Sequence, residues 1–151
     1  MKRILLKVNQ GRVYLFSTPT KAIEALNGLT LSLFGLVFLI NGATLGQYKF
    51  YVNFMYMGPS WIWWVVMLLG ITQLNAARKD TLESNMMSAI CLKLSALVWF
   101  VISLMFGSDY PPLSTGFFTY MSFSLLNVLG GFHLSAQNTY ELLMRNEYRK
   151  N

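Results

Sequence analysis

The chain has 151 residues, room for one domain, of which 54% are hydrophobic and only 12% charged, against about 25% charged in an ordinary soluble domain. The apolar residues are gathered into long runs, a pattern that excludes a soluble amphipathic fold. Its 12 Lys+Arg against 6 Asp+Glu would suit a nucleic-acid partner, but the cations flank the apolar runs, where they set membrane orientation, so no nucleic-acid partner is expected.

Residues 1–3 (MKR) are basic, yet the apolar stretch behind them is broken at Lys7 and no small-residue cleavage site follows, so a retained N-terminus is expected. Residues 4–8 (ILLKV) and 13–16 (VYLF) flank Asn9-Gln10-Gly11-Arg12, which predicts a short β-hairpin within a cytoplasmic segment, residues 1–17. Ser17-Thr18-Pro19 is a helix start, a hydroxyl cap followed by Pro at the first helical position. Lys21, Glu24 and Asn27 keep the first turns polar, and residues 28–45 form the first predicted span. Residues 46–58 hold five aromatics, a composition suited to an interfacial connector.

The second span is predicted over 59–76, with Trp61, Trp63 and Trp64 as interfacial anchors at its outer end. Asp80-Thr81-Leu82-Glu83 resembles a capping box and starts the third helix, apolar over 86–106 except at Lys93. Residues 107–112 (GSDYPP) form a turn. The fourth span is expected over 113–135, continuing as a cytoplasmic helical tail, 136–151, which Glu141 and Arg145 support by their i, i+4 spacing.

The cations sort by segment. Lys2, Arg3, Lys7, Arg12 and Lys21 precede the first run, Arg78 and Lys79 lie between the second and third, and Arg145, Arg149 and Lys150 follow the fourth. Only Lys49 lies in an external connector. The positive-inside rule therefore predicts four transmembrane helices with both termini cytoplasmic, in a bacterial-type inner membrane.

Three intramembrane groups stand out. Lys93 lies roughly 10 Å into its run at about 1.5 Å per residue, shallow enough to snorkel toward headgroups, although a charge in a span is a functional candidate by default. His133, the single histidine, sits at a similar depth and is expected either to pack or to face Lys93. Asn127 is an intramembrane amide in search of a partner, within the bundle or at an oligomer interface. Ser84, Ser88, Cys91 and Ser95 fall on one face of the third helix, and Ser124, Asn127, Gly131 and Ser135 on one face of the fourth. Small faces of this kind let helices pack closely in lipid. The lone Cys91 precludes an intramolecular disulfide.

No phosphate-binding loop, metal-ligand spacing or nucleophile–base pattern occurs, so no enzyme, cofactor or metal is expected. The expectation is a small membrane protein working through helix–helix contacts, as a subunit, regulator or exclusion-type factor of another membrane protein or as a homo-oligomer. Its surroundings would be the lipid bilayer, with anionic lipid attracted to its basic ends. The alternative is an oligomeric, channel-like or holin-like pore lined by Ser88/Ser95 or Asn127/Gly131.

Overall fold

The computed structural model describes residues 19–45, 61–79, 81–107 and 115–148. Among them the regular structure is wholly helical: α1 (Pro19–Leu45), α2 (Trp61–Ala77), α3 (Leu82–Gly107) and α4 (Thr115–Tyr148). The hairpin expected over 4–8 and 13–16, the aromatic connector 46–58 and the turn after Gly107 lie outside the described residues.

α1 begins at Pro19, whose fixed φ suits a first helical position and whose missing N–H is not needed there. α3 begins one residue later than the capping-box pattern suggests. The cap is Thr81, whose Oγ1 accepts the Ser84 N–H at 3.2 Å, while Glu83 occupies the first turn, where its charge opposes the helix dipole favourably. The expected cap, Asp80, lies outside the described residues.

Two helices, Thr20–Gly42 and Leu82–Gly107, are long and apolar enough to cross a membrane. α2 is apolar but has 17 residues, about 26 Å at the helical rise. The fold is thus an all-helical, four-helix arrangement with two candidate spans, which supports a helical membrane protein.

The helices pack as two pairs, α1 with α2 and α3 with α4, joined mainly where α2 meets α3; α1 touches α4 only lightly. Glycine makes the first pair close. A Cβ added at Gly70 would stand 2.5 Å from Ser32 Oγ and 2.6 Å from the Gly28 carbonyl, and one at Gly35 would stand 2.8 Å from the Trp63 carbonyl. The two backbones therefore touch, as small residues permit.

An aromatic core fills the half of the bundle away from the start of α1. Phe38 stacks on Trp63 at 4.3 Å, and Trp99 lies parallel to Tyr120 at 5.4 Å and edge-on to Phe34 at 5.6 Å. Each such pair adds about 0.5–1.5 kcal/mol beyond area burial.

Two glycines should respond oppositely. Gly70→Val forces α1 and α2 apart and is expected to cost about 2 kcal/mol. At Gly130 a Cβ would meet Leu92 at 3.5 Å and Ile23 at 3.8 Å, ordinary contacts, so Gly130→Ala should be neutral or stabilising by up to about 1 kcal/mol. Detergent-titrated unfolding followed by tryptophan fluorescence measures both.

Candidate functional site

In a low-dielectric interior each polar side chain needs a hydrogen-bond partner, because an unmade bond to a buried group costs about 1–3 kcal/mol. The bundle meets this demand around one amide. Asn27 on α1 donates through Nδ2 to Gln73 Oε1 on α2 at 2.5 Å. Its Oδ1 accepts the Trp99 indole N–H of α3 at 2.7 Å and an amide N–H of Asn127 on α4 at 2.9 Å. One side chain thus bonds to the other three helices. Ser95 extends the cluster, donating to Gln73 Oε1 at 3.2 Å. Gln73 Nε2 and Asn127 Oδ1 are buried with no hydrogen-bond partner among the described residues.

One turn toward the start of α1 lies a second polar element. Glu24 is 0% exposed, and its Oε2 accepts the Ser88 hydroxyl of α3 at 2.6 Å. Lys21, three residues earlier and also buried, donates to the Lys79 carbonyl at 3.1 Å and to Asn85 Oδ1 at 3.2 Å. This brings a cation to the junction of α2 and α3 and sets a buried carboxyl beside a buried ammonium-bearing residue. Neither is tolerated in a core unless it has partners.

The small-residue faces of α3 and α4 are turned inward. Ser84 Oγ donates to the Ala76 carbonyl of α2 at 2.5 Å, and Ser124 Oγ donates to the Ala96 carbonyl of α3 at 2.8 Å. Cys91 is buried beside them, and Gly131 lies against the stem of Lys93 and the Ala89 carbonyl. Asn127, considered above as an oligomer contact, is 1% exposed and belongs to the chain's own interior.

Lys93 and His133 do not meet through any hydrogen bond. Lys93 Nζ donates to Ser135 Oγ at 2.8 Å and stands 5.0 Å above the Phe132 ring, so α4 holds the ammonium through a hydroxyl and an aromatic face. His133 is exposed and pairs with Gln137, one turn along its own helix, at 3.1 Å. Of the three tryptophans at the start of α2, Trp61 and Trp64 are exposed. Trp63 is buried in the aromatic core. At about 100° per residue, a helix that turns 61 and 64 outward must turn 63 inward.

The sequence alone makes Glu24 and Asn27 first-turn polar residues, and Gln73 and Trp99 inconspicuous members of apolar runs. A usable signal was present: Asn27, Gln73 and Asn127 each place one amide in or beside an otherwise apolar run, and intramembrane amides seek one another. Among the described residues no group of three or more His, Cys, Asp or Glu is placed to hold a metal ion. The arrangement joins helices. No protein-family model, no curated protein and no solved structure matches the chain.

Asn27→Leu strands the Trp99 indole N–H, takes one of two bonds each from the Asn127 amide, which keeps the Phe123 carbonyl, and from the Gln73 carbonyl, which keeps Ser95, and should destabilise the fold by about 3 kcal/mol. Asn127→Leu removes one shared donor and an unpartnered oxygen, and should cost about 1 kcal/mol or less. The same unfolding titration compares them. Equal losses would contradict the hub role of Asn27.

Proposed function

We propose that the chain is a four-span integral membrane protein, termini cytoplasmic, that acts without catalysis as a subunit, regulator or exclusion-type factor docking on another membrane protein or on a second copy of itself. The observation that carries this reading is the division of side chains between the inside and the outside of the bundle. Leu33 and Ile40 on α1, Val65 and Leu68 on α2, Leu94 and Leu97 on α3, and Leu125 and Leu129 on α4 are all exposed. Asn27, Gln73, Ser88, Ser95, Ser124 and Asn127, by contrast, are buried and bond within the chain.

An exterior this apolar on every helix suits lipid and partner helices rather than water. It supports reading α2 and α4, which are shorter or less apolar on average, as further spans. α4 is less apolar on average because it continues through the polar stretch 136–148; within its apolar part Ser124 and Asn127 serve the interior. The orientation rests on the ten cations that the four-span arrangement gathers on one side against Lys49 on the other.

The pore reading draws less support. A lumen needs a continuous polar face free to meet water, whereas Ser88, Ser95 and Asn127 are engaged with Glu24, Gln73 and Asn27, and the centre is filled by Trp99, Leu31 and Ile102.

Orientation is testable with single cysteines in a Cys91→Ala background. Cysteines replacing Asn53 and Asp109 should react with an impermeant maleimide on intact cells, and those replacing Arg12 and Asn151 only after permeabilisation. In liposomes the purified chain should give no ion flux above the empty-vesicle background. A defined oligomeric ring with conductance abolished by Asn127→Leu would replace the docking reading with the pore.

A further inference from the structure

Lys93 is a charged side chain half-buried on the flank where α3 meets α4, and its course is set by the packing. A Cβ added at Gly131 would stand 3.0 Å from Lys93 Cγ and 3.3 Å from the Ala89 carbonyl, so the glycine leaves a channel along α4 that fits the lysine stem. The stem carries the ammonium to Ser135 Oγ at 2.8 Å, with the Phe132 ring 5.0 Å away. Ser135 closes the apolar run of α4, and Gln137, Asn138 and Thr139 follow it. A backbone position about 10 Å inside the apolar run of α3 therefore delivers its charge to the level where α4 leaves the apolar layer.

That charge has no anion within the described chain. Its partners there are Ser135 and Phe132, and Ser135 is a neutral acceptor whose own proton goes to the Gly131 carbonyl. Of the carboxylates with described side chains, Glu24 is buried against Ser88, and Glu83 lies about 15 Å before Lys93 along α3. Glu141 lines a cavity with Thr20 and Lys21 on the α1 side of α4. An ammonium has three N–H donors, of which the hydroxyl takes one. The others face outward, beside the exposed side chains of Ile90 and Leu97 on α3 and Phe132 on α4. In a bilayer the anion at this level is a lipid phosphate. A headgroup that also carried an ammonium would meet Lys93 and none of those carboxylates, so the local charge favours a headgroup without one.

We propose that Lys93, aligned by Gly131 and Ser135, anchors the phosphate of an anionic phospholipid of the phosphatidylglycerol class in the cytoplasmic leaflet. Its free N–H groups donate to the phosphate oxygens, and an acyl chain lies along Leu97 and Phe132. The α3–α4 flank then belongs to lipid, and a protein partner docks on another face. The inference rests on the membrane-spanning reading above.

The test uses the full chain reconstituted in phosphatidylcholine nanodiscs doped with equal fractions of phosphatidylglycerol and phosphatidylethanolamine, then released in mild detergent for native mass spectrometry. One phosphatidylglycerol per chain should be retained ahead of both competitors, a result that the wild-type chain gives without any variant. Lys93→Met keeps the bulk of the stem and should lower that retention about fivefold, whereas Lys93→Arg should preserve it. Arg78→Gln, which removes an exposed cation elsewhere on the same side, should leave it unchanged. Inorganic phosphate in excess should not displace the lipid, because it brings no acyl chain to lie on the helices. An embedded chain with no preference for phosphatidylglycerol, with equal losses in Lys93→Met and Arg78→Gln, with undiminished retention in Lys93→Met, or with its lipid displaced by inorganic phosphate overturns the site alone. A chain recovered in the soluble fraction overturns the spanning reading and the site together.

Discussion

The side chain of Asn27 is the constraint on which the arrangement turns. Its two amide ends bond to α2, α3 and α4 within 2.5–2.9 Å, and none of those helices can shift against α1 without breaking a bond that apolar neighbours cannot replace. Dispersion packing alone tolerates small slides between smooth apolar helices. A directional hydrogen bond at a single depth does not, so Asn27 sets the register of the four helices as well as their proximity.

Around that point the interior divides by chemistry. Toward the start of α1 it is polar, through Glu24 with Ser88 and Lys21 with Asn85. On the other side it is aromatic, through Phe34, Trp63, Tyr120 and Phe38. Trp99 belongs to both halves: its ring lies parallel to Tyr120 while its N–H reaches Asn27. Glycine controls how near this interior the α1–α2 pair comes. Backbone contact at Gly28, Gly35 and Gly70 brings Gln73 within reach of Asn27, whereas α1 and α4 meet only lightly.

Much of the site lay outside what periodicity could disclose. Asn127 was conspicuous as an amide in an apolar run, but whether it faced a sister helix or a second molecule depended on which helix stood opposite. Lys93 and His133 seemed natural neighbours because they share a depth. The structure instead gives Lys93 to Ser135 and Phe132, and gives His133 to Gln137. Depth is one coordinate; the angle around the helix axis is the other, and it is fixed by packing. Trp63 shows the same point in reverse, since three nearby tryptophans cannot all point outward from one helix.

By itself the sequence determined the helical character of the described chain, the start of α1 at Pro19 and the small faces on α3 and α4. Those features are local: they follow from apolar run length, from the stereochemistry of proline and from a period of 3.6 residues. The tertiary structure decided which polar groups meet. Asn27 lies two turns inside α1, Gln73 one turn from the end of α2 and Trp99 two turns from the end of α3. Equal counts from the helix ends would never have aligned them. Their meeting depends on the axial offsets between helices, and those offsets are set by backbone contact at glycine and by the cost of burying an amide without a partner.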